Sequence, residues 1–117
     1  MFSLARWRNT VGGAPVIPPA VISRPPSAEL RENQTDQDSL PPYDVLDAII
    51  EAYMERDESP GEIIARGFSE AEVRRTVAML KRNEYKRRQS PVGIRVTKRG
   101  FGRDWRYPIT SRYQDEY

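Results

Sequence analysis

The segment TVGGAPVIPPAVISRPPS, residues 10–27, holds five of the chain's ten prolines and two of its seven glycines. Each proline fixes φ at about −65°, removes a backbone donor and biases the preceding residue toward extended geometry. Only one short helical turn fits, over PPAVIS; the rest reads as ordered loop or linker. The following AELRENQTDQDSLPP (28–42) is polar, acidic and aperiodic, and reads as a mobile loop. A loop this long inside a compact domain is usually a functional lid or a linker. Regular structure is therefore expected before residue 10 and after residue 42.

Before it, FSLARWRN (2–9) spaces Phe2, Leu4, Ala5 and Trp7 on one short apolar helical face. It has no N-cap, so it reads as the tail of an element that begins earlier. After it, PYDVLDAIIEAYMERD (42–57) is the clearest helix, with Val45, Leu46, Ile49, Ile50, Tyr53 and Met54 on an i, i+3/i+4 stripe. SPGEIIARG (59–67) has the marks of a short helix: Ser59 as cap, Pro60 as first residue, Glu62 closing a capping box and Gly67 as the stop. SEAEVRRTVAMLKRNEYKRR (69–88) reads as one long helix, with a second capping box from Ser69 and Glu72 and a buried stripe of Val73, Val77, Leu80 and Tyr85. Beyond Pro91 and Gly93, alternation in IRVTKR puts Ile94 and Val96 on one face of a short strand or extended segment. The aromatic, arginine-rich end reads as a tail docked on another surface. The divisions expected are 1–42 (end of a helix, proline-rich connection and loop), 43–90 (three-helix subdomain) and 91–117 (extended tail).

The residues that are missing limit the chemistry. With no cysteine and no histidine, thiolate chemistry, disulfides and the usual general base and zinc ligand are excluded. The carboxylate pairs Asp44/Asp47 and Glu51/Glu55 lie at helical spacing and read as a solvated face. Asp36 and Asp38 are loop acids that suit a magnesium ion through water. No nucleophile–base pair is present. No apolar run approaches the roughly 20 residues of a membrane span, and MFSLARWRN lacks a cleavable apolar core, so a cytoplasmic protein is expected.

The net charge of +2 conceals a split. Ala28 to Glu72 carries thirteen acids against three arginines, and Lys81 to Arg106 carries ten cations against Glu84 and Asp104. Such a chain either folds its acidic half on its basic half or uses the basic half on an anion. The densest cationic run, NEYKRRQSPVG (83–93), fits a dipole-compensated helix end and also carries the electrostatic footprint of a nucleic-acid binder. The acid set among the arginines of FGRDWRYP favours an internal ion pair over a groove that tracks phosphates. In RPPSAEL, Ser27 could offer its hydroxyl to a phosphate oxygen or a magnesium-bound water, or could cap a helix.

Taken in order, ARWRN, VISRPPSAELRENQTDQDSLPPYDVLDAI, VRRTVAMLKRNEYKRRQSPVGIRVT and FGRDWRYPIT resemble the C-terminal end of bacterial glutamine-dependent NAD+ synthetases, over residues 2–112. The resemblance implies a mainly α, small helical C-terminal subdomain, with long loops and a short extended tail. Its setting would be a Rossmann-like α/β synthetase domain of the ATP-pyrophosphatase type. It implies an enzyme that adenylates deamido-NAD with ATP and Mg2+ and then amidates it with glutamine-derived ammonia. By the same resemblance SAEL begins a loop that closes over the nucleotide, and Ser27 meets ATP phosphate and magnesium. Tyr85 and Lys86 would contact deamido-NAD, Asp104 would lie near its nicotinate side, and Arg87, Arg88 and Arg103 would supply supporting positive charge. The family's SGGxDS phosphate loop, its Cys-Glu-Lys glutaminase triad and most of its parallel sheet are absent from these residues. The implied partners are therefore the remaining synthetase and glutaminase domains, with a homo-oligomer expected and no membrane or specific nucleic acid. The isolated chain is expected to be inactive. Trp105 stands where family members often carry another arginine. The alternative reading is a small basic helical module for nucleic-acid binding or oligomerisation.

Overall fold

A computed structural model describes residues 2–26, 34–100, 103–111 and 113, with the side chain of Gln37 left out. The chain divides into two compact units, 1–40 and 41–117.

In the first unit, helix α1 (Phe2–Thr10) ends where the double glycine begins, and Gly12 and Gly13 both take positive φ, 92° and 82°. That conformation costs glycine least, so the chain reverses there. The returning segment is held by one side chain. Asn9 Oδ1 accepts from the Val16 and Ile17 amides at 3.0 and 2.9 Å, and its Nδ2 donates to the Ile17 carbonyl at 2.8 Å. Asn9 thus supplies the hydrogen bonds that a proline-interrupted loop cannot make as a ladder. Helix α2 (Pro19–Ser23) is the one turn that the prolines allow. Helix α1 buries no residue, and Leu4 and Trp7 stay exposed. The acidic stretch is not featureless where it is described. Asp36–Asp38 forms a 3-10 turn, with the Thr35 amide donating to Asp38 Oδ2 at 2.8 Å and the Asp36 amide to the Pro26 carbonyl at 3.0 Å.

In the second unit, α3 (Tyr43–Ile50) runs into a π-helical turn (Glu51–Glu55). Its widened i→i+5 bond, Arg56 N–H to Glu51 carbonyl at 3.2 Å, lets three successive residues, Ala52, Tyr53 and Met54, face inward together. Ala52, three residues after Ile49, shares that face although the stripe read from the sequence omits it. The helix stops at Asp57, the one described non-glycine residue with positive φ (59°). Helix α4 (Pro60–Ala65) is closed by the expected capping box. The Ser59 amide donates to Glu62 Oε2 at 2.7 Å, and the Glu62 amide to Ser59 Oγ at 3.3 Å. These bonds from Ser59 hold the Glu62 carboxyl below its ordinary range. Gly67, at φ 100°, ends the turn.

Helix α5 covers Glu70–Arg82, and here two expectations fail. Ser69 is the N-cap residue but its side chain makes no capping bond; Glu70 instead pairs with Arg74 one turn on, at 2.8 Å. The helix also does not run to residue 88. It breaks at Asn83, and Glu84–Arg88 forms a separate short helix, α6. The core joins Ile49, Ala52, Tyr53 and Met54 to Ile63 of α4 and Val73 and Val77 of α5. Of the strand or extended segment expected after Gly93, no strand forms. Residues 94–96 are irregular, with Ile94 and Val96 fully in solvent, because no described segment offers them a ladder. Among the described residues the fold is helical and has no strand.

Candidate functional site

The basic run follows a break in the helix at Asn83. Asn83 takes φ −94° and ψ 14°, and both its amide and its Nδ2 donate to the Met79 carbonyl, at 3.0 and 2.9 Å. The α5 end is satisfied locally, and α6 forms a separate turn beyond it. Glu84 and Arg87 continue the spacing of the Val73, Val77 and Leu80 face; they point inward, one turn apart, and are 1% and 8% exposed. Tyr85, expected in the buried stripe, is 46% exposed, and Lys86 and Arg88 lie beside it in solvent.

The inward pair is an ion pair with a second anchor. Arg87 Nη1 meets Glu84 Oε2 at 2.8 Å, and Nη2 donates to the Trp105 carbonyl at 2.5 Å. Arg106 Nη1 stands 4.0 Å from Glu84 Oε1. Arg87 therefore ties α6 to the tail. The tail is itself docked: the Trp105 ring lies 5.2 Å from that of Tyr53, and the Tyr107 hydroxyl donates to the Tyr53 hydroxyl at 2.6 Å. Trp105 thus sits between the rings of Tyr53 and Tyr107, 5.2 and 6.2 Å away.

A second clamp fixes the approach to the tail. Arg99 grips Asp57 with both guanidinium nitrogens, Nη1 reaching Oδ1 at 2.6 Å, and the same nitrogen caps the Met54 carbonyl at 3.0 Å. The Arg99 amide adds a bond to Glu55 Oε2 at 3.2 Å. These bonds from Arg99 hold the Asp57 carboxyl below its ordinary range, its charge and that of Lys98 acting the same way, while desolvation opposes them. The Arg99 guanidinium is raised in turn, chiefly by Asp57. The acidic and basic halves therefore do fold on each other here. Arg99 was not singled out in the sequence; the only signal for it was the charge split itself, since its partners lie more than forty residues away.

The remaining candidates divide. Asp104 closes a turn, its Oδ2 accepting from the Gly100 amide at 2.7 Å, with Arg95 Nη1 at 3.8 Å. A Cβ at Gly100 would sit 3.3 Å from that oxygen, so the turn suits glycine. Arg103 is exposed in the same turn. The tail connection through Arg87 thus links the turn bearing Arg103 and Asp104 to the helix bearing Tyr85 and Lys86. Lys86 has no ion-pair partner among the described residues; its ammonium lies 5.9 Å from the centre of the Tyr85 ring. Ser27 falls outside the described residues. Among those residues no group of three acidic side chains converges as a metal site. No described helix is long and apolar enough to cross a membrane.

Three comparisons with known proteins identify the family. The NAD synthase family model matches residues 1–90. The glutamine-dependent NAD(+) synthetase of Xanthomonas campestris pv. campestris (strain 8004) is 58% identical over 116 residues, which is 99% of this chain and 21% of that protein. Its counterpart in Aquifex aeolicus (strain VF5) is 50% identical over 97% of the chain and 20% of its own length. The solved structure of glutamine-dependent NAD+ synthetase from Acinetobacter baumannii in complex with ADP superposes with a TM-score of 0.58 at 46% identity, covering 92% of this chain and 18% of that one. The chain thus spans about a fifth of the length of the relatives it matches. Nothing in these matches supports a nucleic-acid-binding or oligomerisation module. With most of its length matched by the family model, and a relative more than half identical over nearly all of it, the chain belongs to the NAD synthase family.

Proposed function

We propose that this chain supplies one wall of the deamido-NAD site of a glutamine-dependent NAD+ synthetase. The rest of the synthetase domain and the glutaminase domain act as its partners. The observation that carries the reading is the sorting of the basic run. Of its consecutive cations, Arg87 is committed to Glu84, whereas Lys86 is exposed and unpaired beside the exposed Tyr85 ring. A lysine ammonium is a compact point charge suited to phosphate and carboxylate oxygens, and deamido-NAD carries both a pyrophosphate and a nicotinate carboxylate. The Tyr85 ring adds an apolar face for a planar group, and Arg88 and Arg103 add positive potential.

In the reaction so proposed, the nicotinate carboxylate takes the adenylyl group of ATP, pyrophosphate leaves, and ammonia then displaces AMP. Mg2+ would screen phosphate charge during the first transfer. This chain's part is to bind and orient the acceptor: Lys86 neutralises its anionic charge and Tyr85 covers one face. Asp104, fixed by Gly100, presents a carboxylate toward the nicotinate side. Ser27 and the loop that it begins are assigned to ATP, in keeping with the ADP that the Acinetobacter baumannii relative binds. A Rossmann-like setting, a homo-oligomer and a cytoplasmic location belong to the same proposal.

The test is a chimera in which residues 1–117 replace the matching segment of the Xanthomonas campestris relative. It should form NAD+ from deamido-NAD, ATP and glutamine, while the 117-residue chain alone neither forms NAD+ nor hydrolyses glutamine. A folded chimera unable to use deamido-NAD would refute the reading.

A further inference from the structure

Helix α6 has five residues, too few to persist as a helix unaided, and Asn83 severs it from α5. The orientation of Tyr85 and Lys86 must come from what holds the other face of that turn. That face is an ion pair rather than an apolar contact, and this choice needs a reason. Apolar residues of similar volume usually stabilise a buried site as well as an ion pair, or better. Direction is what the charged pair adds. The planar guanidinium of Arg87 fixes Glu84 with one nitrogen and the Trp105 carbonyl with another, so it sets an angle between α6 and the tail as well as a distance. Glu84 Oε2 takes Arg87, while Oε1, which accepts no hydrogen bond among the described residues, lies 4.0 Å from Arg106. One buried carboxylate thus faces cations from α6 and from the tail.

We propose that Glu84 and Arg87 are positioning residues for deamido-NAD. They hold the outward pair Tyr85–Lys86 and the turn bearing Arg103 and Asp104 in one fixed relation while facing no ligand themselves. This rests on the functional reading above. Because the pair acts through orientation, its loss should fall on the acceptor and leave ATP alone.

The test uses the double variant Glu84→Met/Arg87→Met, the milder Arg87→Lys, and Lys86→Ala as control. Amide exchange at Val73 and Val77 in the 117-residue chain reports on the core, and initial rates in the chimera report KM for each substrate. In the double variant, exchange at Val73 and Val77 should stay as in the parent and KM for ATP should not move. KM for deamido-NAD should rise roughly ten- to a hundredfold, the scale on which small misplacements act. Arg87→Lys keeps the charge but loses the fork, and its KM for deamido-NAD should fall between parent and double variant. Should the double variant lose its core protection, Arg87→Lys decides alone, and a parent KM for deamido-NAD there would overturn the proposal. A parent value in a folded double variant, or equal rises for both substrates, would overturn it as well. If Lys86→Ala raises KM for deamido-NAD and the double variant does not, only this inference fails. If Lys86→Ala has no effect, the functional reading fails with it.

Discussion

Replacing Ile63 by alanine tests how the second unit is held together. Ile63 is fully buried in the core that joins α4 to α3, the π turn and α5. Helix α4 has six residues and could not persist without that contact. The substitution removes three carbons. At about 0.8 kcal/mol for each buried carbon, the transfer loss is roughly 2.4 kcal/mol. Incomplete collapse around the gap raises this toward ~3–4 kcal/mol, within the range measured for such core truncations. Ile64, the next residue, is half-buried, so Ile64→Ala removes the same atoms at about half that cost or less. Urea unfolding followed by circular dichroism would give the two midpoints at a common slope. A loss below about 1 kcal/mol for Ile63→Ala, or equal losses for the neighbours, would refute the packing described.

Three further outcomes are expected. Acidification should release the Arg99 clamp before the core melts. The folded Asp57 carboxyl is depressed, so its contribution is complete above the ordinary carboxylate range of ~4 and is lost as pH falls through the lower folded value. Trp105 fluorescence in a Trp7→Phe background would report it, and a signal already changing above that range would contradict the sign. Ser59→Ala should destabilise α4 by about 1 kcal/mol through loss of its cap, read as a shift of the same urea midpoint. Asn9→Ala should speed exchange of the Val16 and Ile17 amides about tenfold or more, because both donate to that side chain; unchanged exchange would remove Asn9 from its role.

What the sequence made legible was local. The stripe from Val45 to Met54 and the Ser59–Glu62 box depend on neighbours within a turn, and both stand in the structure. The break at Asn83 was hidden because the apolar and charged pattern carries on across it; only the competition of an asparagine side chain for the Met79 carbonyl ends the helix. The π turn escaped for a related reason, since periodicity assumes a constant angle per residue. Non-local bonds left the weakest traces. Arg99 and Asp57, or Tyr107 and Tyr53, are paired by a path that no window of sequence covers. The candidate site shows the same division. The resemblance pointed to Tyr85 and Lys86, but the separation of Lys86 from the buried Arg87 became visible only with the Glu84–Arg87 pair.

That separation is the central claim, and Lys86→Ala in the chimera tests it most directly. Initial rates against deamido-NAD and ATP, with the fold checked by amide exchange at Val73 and Val77, give both KM values. The expected result is a rise of roughly tenfold or more in KM for deamido-NAD, the scale of one charge-assisted contact, with KM for ATP and the exchange pattern unchanged. A parent KM for deamido-NAD in that variant would contradict it.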